Sequence, residues 1–267
     1  MTMEKESKGK KEFTVKLYES GGFDQFLGET LRPGGLELTT RIAELGGFGE
    51  SSTILDIACG KGASAFFLTR NYGCMVFGID LSRKMIGLSQ DRAEEERLKE
   101  KIAFAVADGE DLPFLSSTFD GIVSECSFSI LPDKKKALKE MKRVLRPKGK
   151  LVMTDMTIQG EVSEEFRDQL TFLPCASGAE TIEGYVRLLE EAGFKDYYTE
   201  DHSGELKKVG FQMFLTFGSI ENFLWSVASA CCAGNEAASP NDTFLDGFKK
   251  LFSEKILGYA LITATRP

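Results

Sequence analysis

An apolar run passes directly into a glycine-rich turn at Ile54-Leu55-Asp56-Ile57-Ala58-Cys59-Gly60-Lys61-Gly62. Gly60 and Gly62 allow the backbone to turn sharply and to approach a ligand closely, because glycine has no Cβ atom. A helical pattern follows at Ala63–Arg70. A strand that ends in such a turn and leads into a helix is typical of the first unit of a nucleotide-binding α/β sheet.

Short apolar runs then alternate with amphipathic stretches of helical length as far as residue 156. Arg146-Pro147-Lys148-Gly149 predicts a stop and a turn before the fifth run. The alternation predicts an α/β, Rossmann-like, doubly wound fold with a mostly parallel sheet. The predicted strands are Thr53–Ala58, Met75–Asp80, Ile102–Ala107, Phe119–Glu125 and Lys150–Asp155, and the predicted helices are Ala63–Arg70, Ser82–Leu98 and Asp133–Leu145.

The sequence as a whole predicts four segments. Residues 1–46 form an N-terminal flank or lid, with a helix at Leu36–Leu45. Residues 47–203 form the ligand-binding core and end with a helix at Thr181–Ala192 and a strand at Phe194–Glu200. Residues 204–252 form a helical cap insertion, and residues 253–267 supply the last strand of the core sheet.

The composition of the chain limits the classes of partner that the protein is expected to bind. The formal net charge of -8 at pH 7 would repel a phosphate backbone, which favours a small molecule over nucleic acid. No run approaches the ~18 apolar residues of a membrane span. The basic N-terminus, from Lys5 to Lys11, is interpreted as a solvated tail. Six cysteines without an export signal predict free thiols and a cytoplasmic protein.

Two classes of cofactor are consistent with the glycine-rich turn. Gly60, Gly62 and Ala65 fit the dinucleotide fingerprint, with Asp80 near the place of the ribose-binding acid, as in a nicotinamide-dependent oxidoreductase. Asp56 favours another ligand, because a carboxylate there would repel a pyrophosphate and attract a sulfonium and an ammonium. S-adenosylmethionine carries both a sulfonium and an ammonium group. Asp80 would then accept from the ribose, and Asp108 from the adenine amine.

Five motifs in order resemble the class I S-adenosylmethionine-dependent methyltransferases, in the small-molecule branch that includes quinone-biosynthesis and arsenite methyltransferases. They are residues 54–62, Gly78-Ile79-Asp80-Leu81-Ser82 with Met85, residues 107–114, Phe119-Asp120-Gly121-Ile122-Val123, and residues 143–150. The family implies a seven-stranded sheet whose last strand is antiparallel. It also implies cofactor contacts by Asp56, Ala58, Gly60, Gly62, Asp80, Leu81, Met85, Asp108 and Gly109.

The acceptor side resembles arsenite methyltransferases at Ser124–Lys134 and at Pro174-Cys175-Ala176-Ser177-Gly178-Ala179. In that family a cysteine matching Cys175 is a ligand of trivalent arsenic. Thiolates suit this soft centre, whose lone pair attacks the methyl group without a general base. By position, Glu125 and Cys126 are further candidates for the active site.

The match departs from that family at two cysteines. Ala65 stands near one expected thiol, and the thiols nearest to another are Cys231 and Cys232, more than twenty residues upstream of its place. We therefore expect an arsenic(III) site made by Cys175 with Cys231 and Cys232. The alternatives are a helix end for Cys231 and Cys232, or a structural zinc held by these three cysteines with His202.

Other methyl acceptors and other classes of protein are also consistent with the sequence. An organic oxygen, nitrogen or carbon acceptor, such as a quinol, would call for a base from Glu125, Asp155 or Tyr18. The aromatic series Phe211, Phe214, Phe217, Phe223 and Trp225 predicts core packing by its helical spacing, with the lining of an apolar substrate pocket as the alternative. A module that binds the cofactor without turnover, or a thiol-based metal sensor, is the third class.

Overall fold

The computed structural model describes residues 3–160, 162–163, 167, 173–219, 221–223, 225–226 and 256–267. Seven strands in this part of the chain form one sheet. They are β1 (Thr53–Ile57), β2 (Met75–Asp80), β3 (Ile102–Val106), β4 (Phe119–Glu125), β5 (Leu145–Ile158), β6 (Lys195–Asp201) and β7 (Leu257–Thr265).

The strand order is β3-β2-β1-β4-β5-β7-β6. β1 pairs in parallel with both β2 and β4, whereas β7 runs antiparallel to its two neighbours, β5 and β6. The order reverses at β1, so the loops after β1 and β4 diverge and leave a crevice at the carboxyl ends of the strands. The predicted fold class is confirmed, including the antiparallel last strand.

Helices cover both faces of the sheet. Three of them begin at the side-chain caps that the sequence offers: Ser82, Asp133 and Thr181 accept backbone N–H bonds at 2.9–3.0 Å. The helices are α1 (Met3–Glu19), α2 (Asp24–Leu27), α3 (Gly35–Gly46), α4 (Ala63–Tyr72), α5 (Arg83–Glu95), α6 (Lys134–Val144), α7 (Pro174–Ser177), α8 (Ile182–Glu191) and α9 (Gly204–Phe217).

Two apolar layers hold these helices on the sheet. Neighbouring side chains of a strand point to opposite faces, so Ile54 joins one layer and Leu55 the other. The first layer packs α3, α4 and α5, and the second packs α6 and α8. The strand ends stay free of these layers and can carry polar groups.

The predicted stop is confirmed, because α6 ends at Val144. The predicted turn at Arg146–Gly149 does not precede the fifth strand, because β5 already begins at Leu145. The turn residues form an irregularity inside the strand, where Lys148 has a φ of 65° and the register with β4 shifts. Hydrogen bonds to the last strand keep the segment in the sheet: Lys148 N donates to Arg266 O at 2.8 Å, and Arg266 N donates to Gly149 O at 2.9 Å.

The basic N-terminus is not a solvated tail. Residues 3–19 form α1, and its Leu17 is fully buried in a cluster with Phe23, Leu173 and Met213. In the described part of the chain no helix is long and apolar enough to cross a membrane.

The prediction of core packing for the aromatic series is correct only in part. Phe223 is buried and Phe217 packs against the same cluster as Leu17, whereas Phe211, Phe214 and Trp225 are exposed. The helix α9 rests on α2 and β7 through one face that includes Met213. Phe211 and Phe214 therefore lie on a face of α9 that the described residues do not cover.

Candidate active site

A cavity lies at the carboxyl ends of β1 to β4 and is closed above by the N-terminal flank. Its cofactor half, as we name it, consists of the loops after β1, β2 and β3. Seven of the nine predicted cofactor residues line this cavity: Asp56, Ala58, Gly60, Asp80, Leu81, Met85 and Gly109. Gly62 does not line it, although its neighbours Lys61 and Ala63 do.

The loop after β1 has the backbone that its glycines allow. Ala58, Gly60 and Gly62 all have φ between 53° and 76°. A Cβ atom at Gly62 would lie 2.6 Å from the ring of Phe104, so a larger residue would displace that ring. The glycines thus serve a left-handed turn and a close contact, as the sequence predicts.

Asp56 is a buried carboxylate, only 2% exposed, at the end of β1. The backbone of Ala65 donates a hydrogen bond to it, while its Oδ2 has no hydrogen-bond partner among the described residues. Burial, followed by the nearby charge of Glu125, raises the pKa of Asp56 to about 8, against the opposing charge of Arg32. An unpartnered buried carboxylate in a cavity wall suits a cationic ligand.

Asp80 links the loops after β1 and β2. Its Oδ2 accepts from Gly60 N at 2.9 Å and its Oδ1 from Ser82 N at 2.8 Å. Burial raises the pKa of this carboxyl, although the two backbone donors oppose that shift. Asp80 therefore fixes the glycine-rich turn and faces the cavity with its remaining acceptor capacity.

Asp108 follows β3 but is not among the residues that line the cavity. Its Oδ1 accepts from Glu110 N at 2.9 Å, and its Oδ2 accepts from Lys11 Nζ at 2.7 Å. Lys11 also donates to Glu110 Oε2 at 2.6 Å. The side chain expected to meet an adenine amine is here covered by a lysine of α1.

The flank makes a polar contact with the loop after each of the four strands. Sequence reasoning missed these contacts, because each joins residues that are far apart in the chain and no short motif announces them. They are Asp24–Lys61 (2.7 Å), Glu19–Ser82, Lys11–Asp108 (2.7 Å) and Arg32–Glu125 (2.7 Å).

Glu125 ends β4 inside a polar cluster. Its carboxylate pairs with Arg32 and accepts from Ser64 Oγ at 2.6 Å and from Thr39 Oγ1 at 3.2 Å. Arg32 and Glu125 are both at least nine-tenths buried, so each charge depends on the other. Since these groups hold it, Glu125 supports the cavity wall beside Asp56 and is poorly placed to act as a mobile base.

Cys126 and Cys175 form what we name the acceptor half of the site. Cys126 is buried in an apolar cluster with Tyr259, and the partly buried Cys175 packs against this cluster. Cys126 lines the cavity and has a left-handed backbone with a φ of 55°, whereas Cys175 is not among the lining residues. The neighbouring thiol of Cys175, followed by burial, raises the pKa of Cys126 well above its ordinary value.

Tyr18 of α1 lies between the two halves. It lines the cavity, stacks on Phe23 with 5.1 Å between ring centroids, and is close enough to both thiols and to Asp80 for their charges to raise its pKa, after burial. A tyrosine that remains protonated there cannot serve as a general base near neutral pH.

The remaining predicted residues are Cys231 and Cys232, His202 and Asp155. Cys231 and Cys232 fall outside the described residues. His202 pairs with Glu200 at 2.9 Å, and the described residues contain no group of three or more His, Cys, Asp or Glu side chains that could hold a metal ion. Asp155 is fully buried and accepts from Ser129 N, Ser129 Oγ and Met156 N, and burial raises its pKa to about 6.

Comparison with known proteins agrees with this geometry. A family model described as a methyltransferase domain matches residues 49–193. An uncharacterized protein of Haemophilus influenzae is 34% identical over 189 residues, which cover 67% of this chain and 72% of that protein. Methyltransferase GfsG of Streptomyces halstedii is 28% identical over 242 residues, which cover 90% of this chain and 83% of that protein.

A solved structure has the same fold. It is phosphoethanolamine N-methyltransferase 2 of Haemonchus contortus in complex with S-adenosyl-L-methionine, with 22% identity and a TM-score of 0.72 over 94% of this chain and 57% of that one. The family match decides against the nicotinamide-dependent oxidoreductase. The chain therefore belongs to the methyltransferase domain family, within the class I S-adenosylmethionine-dependent methyltransferases that its motifs resemble.

Proposed function

We propose that this methyltransferase transfers a methyl group from S-adenosylmethionine to a small thiophilic acceptor, with arsenite as the sharpest candidate. The observation that carries the acceptor class is that Cys126 lines the cofactor cavity and that Cys175 packs against the apolar cluster of Cys126. We place the reaction in the reducing cytoplasm, where such thiols stay free.

The residues of the cofactor half fit S-adenosylmethionine. The unpartnered Oδ2 of Asp56 suits the ammonium and the sulfonium, and Asp80 retains acceptor capacity for ribose hydroxyls. Asp108 would accept from the adenine amine once Lys11 shares or leaves its Oδ2. Leu81, Met85 and Gly109 supply apolar and backbone surface along the same cavity. When bound, the cofactor supplies an electrophilic methyl group.

The chain's own residues orient the two reactants and exclude water. The buried carboxyl of Asp56 lies at one end of the cavity, where a cationic cofactor favours its ionised form, while Arg32 balances the charge of the neighbouring Glu125. The apolar cluster of Leu17, Phe23 and Met213 packs against Tyr18 and Leu31, which line the cavity. Because the lone pair of trivalent arsenic is itself the nucleophile, no side chain has to remove a proton, which agrees with the protonated Tyr18 and the fully engaged Asp155.

Cys175 is the arsenic ligand that the resemblance implies, and Cys231 and Cys232 complete the set expected from the sequence. Cys231 and Cys232 lie outside the described residues. The proposal therefore needs a test in which each thiol is removed in turn.

The deciding experiment measures S-adenosylhomocysteine release with arsenite and a thiol reductant. We expect turnover by the wild type and its loss in Cys175→Ser. Cys74→Ala is the matched control, because Cys74 is buried in the layer behind β2 and does not line the cavity. No release by the wild type while the cofactor still binds, or full activity of Cys175→Ser, would contradict the proposal.

A second candidate is an organic acceptor such as a quinol. It is favoured by the apolar part of the cavity wall, formed by Leu31, Ile130 and Leu131. An organic acceptor would be methylated without arsenite and would tolerate Cys175→Ser. The same release assay, run with a panel of quinols and phenols, therefore separates the two.

A further inference from the structure

We infer that Arg32 binds the α-carboxylate of S-adenosylmethionine and so selects a cofactor that carries its complete amino-acid end. Arg32 belongs to the N-terminal flank, and none of the five sequence motifs contains it. It also lies outside residues 49–193, which the family model matches. The inference concerns the cofactor alone, so it holds for a thiophilic and for an organic acceptor alike.

The guanidinium of Arg32 lies in the cavity wall with unused donors. Arg32 is buried and lines the cavity. Its Nη1 donates to Thr30 O at 3.0 Å and its Nη2 to Thr39 Oγ1 at 2.6 Å. Its Nε lies 2.7 Å from Glu125 Oε2 in an ion pair, but the Nε–H makes no hydrogen bond with a described residue. These contacts satisfy two of the five N–H groups of a guanidinium, and buried donors without an acceptor favour a ligand that supplies one.

The strand pairing places Arg32 beside Asp56. Ile57 of β1 pairs with Ser124 of β4, so Asp56, just before Ile57, and Glu125, just after Ser124, end neighbouring strands. The ion pair with Glu125 holds the guanidinium at this point. Its charge is near enough to oppose the rise in the pKa of Asp56 that burial and Glu125 cause.

The amino-acid end of S-adenosylmethionine carries an ammonium and a carboxylate on one carbon atom. Asp56 Oδ2, which has no hydrogen-bond partner among the described residues, suits the ammonium, and the guanidinium of Arg32 suits the carboxylate. A guanidinium and a carboxylate are both planar and can form two parallel hydrogen bonds, which a lysine ammonium cannot. One wall of the cavity thus holds a complementary group for each charge of the amino-acid end.

The other two described cations that line the cavity are engaged elsewhere. Lys11 lies at the end expected to hold adenine, where its Nζ pairs with Asp108 at 2.7 Å. Lys61 pairs at 2.7 Å with Asp24, which does not line the cavity. Within the described part of the chain, Arg32 is therefore the cation at the amino-acid end.

The flank holds Arg32 in position before any ligand arrives. Thr30 and Thr39 fix two of its nitrogens through the hydrogen bonds given above. The turn that follows is packed tightly on α3, because a Cβ atom at Gly34 would lie 2.3 Å from Leu38 Cδ1. A guanidinium held in this way loses little side-chain entropy when it binds a carboxylate.

The test compares S-adenosylmethionine with its decarboxylated analogue, which keeps the ammonium and the sulfonium. Both affinities are measured by calorimetry without acceptor. We expect the wild type to bind S-adenosylmethionine about 10- to 100-fold more tightly, as charge-assisted hydrogen bonds provide. This preference should fall to about threefold or less in Arg32→Met and return in part in Arg32→Lys. Arg41→Met should keep it and is the matched control, because Arg41 also pairs with a glutamate, Glu200, but does not line the cavity.

A second set of variants removes the effect of the broken ion pair. Arg32→Met leaves the buried carboxylate of Glu125 without its cation, so the change is also made together with Glu125→Gln. Glu125→Gln alone retains Arg32 and should retain the preference, whereas the double variant should lose it. A misfolded fraction lowers the stoichiometry of binding and leaves the ratio of the two affinities unchanged.

Two results would overturn the inference. They are equal affinity of the wild type for both ligands, and a preference for S-adenosylmethionine that survives in the double variant. Because no acceptor is present, neither result depends on the proposed function. Conversely, a wild type that shows the preference but releases no S-adenosylhomocysteine with arsenite would uphold the role of Arg32 and reject the proposed acceptor.

Discussion

The cofactor half and the acceptor half of the site are built in different ways. The cofactor half uses residues at or just after strand ends, such as Asp56, Gly60 and Asp80, whose order in the chain matches the order of the loops. The acceptor half joins Cys126 to Cys175 across two unrelated elements. The first depends on local turn geometry and the second on tertiary packing, so a change in either should leave the other largely intact.

The largest effect is expected from Asp80→Ala. This change removes the acceptor of two backbone N–H groups, those of Gly60 and Ser82, and each charge-assisted bond contributes about 1.5–3 kcal/mol. We expect cofactor affinity, measured by calorimetry, to fall at least about 100-fold. The alkylation rate of Cys126 and Cys175 by iodoacetamide, which reports the packing of the acceptor half, should stay unchanged. Faster alkylation of both thiols in this variant would show that the halves are not independent.

Gly178→Ala is the converse change. Its Cβ atom would clash with Ser129 O and shift α7, and overpacking of this kind costs about 1–3 kcal/mol. S-adenosylhomocysteine release with arsenite should slow about tenfold or more while cofactor affinity stays within twofold. Gly87→Ala in α5 is the matched control, because its Cβ atom would meet nothing within 4 Å. Normal release by Gly178→Ala would show that the acceptor half does not depend on the position of α7.

Titration of Asp56 should affect the cofactor half alone. Its pKa of about 8 means that the free protein holds a proton there at neutral pH, and a cationic ligand favours the ionised form. Affinity for S-adenosylmethionine should therefore rise with pH up to about 8, by at most tenfold per unit, with proton release on binding. The groups that face Asp56 are Glu125, Arg32 and Asp80, and all are retained in Asp56→Asn, which should flatten the profile.

The same shift predicts the stability of the free protein. A carboxyl whose folded pKa lies above its unfolded value near 3.8 keeps its proton only in the folded state between those two values. Its contribution to stability is therefore full below the unfolded pKa and is lost as pH rises towards about 8. Asp56→Asn should lose less stability than the wild type between pH 5 and pH 8. An identical slope in thermal melts of both proteins would contradict the assignment.

The smallest effect concerns the flank that covers both halves. Lys11→Met removes the bridges to Asp108 and Glu110, and partly exposed ion pairs of this kind contribute about 1 kcal/mol at most each. We expect cofactor dissociation to accelerate several-fold in stopped flow, with little change in melting temperature. Lys8→Met, whose side chain is exposed on the same helix, serves as the control. Equal rates in both variants would separate Lys11 from cofactor release.

Much of the cofactor half could be predicted because its determinants are local. A glycine at a left-handed turn and an acid after an apolar strand are visible as neighbours in the chain, and parallel strands bring their carboxyl ends to one edge. The engagement of Asp108 by Lys11 could not be predicted in this way. Lys11 and Asp108 are 97 positions apart in the chain, and the lysines of α1 predict a solvated segment.

The sequence by itself determined the alternation of strands and helices, the glycine-rich turn and the row of acids at the strand ends, since these follow from spacing within single elements. Only the tertiary structure decided that Cys126 meets Cys175, that Arg32 neutralises Glu125 and that α1 covers the cavity. The physical reason is that side-chain contacts between distant segments depend on how helices pack on the sheet. That packing is set by the shape of the whole core. It therefore produces no periodic pattern in the sequence around the residues that it brings together.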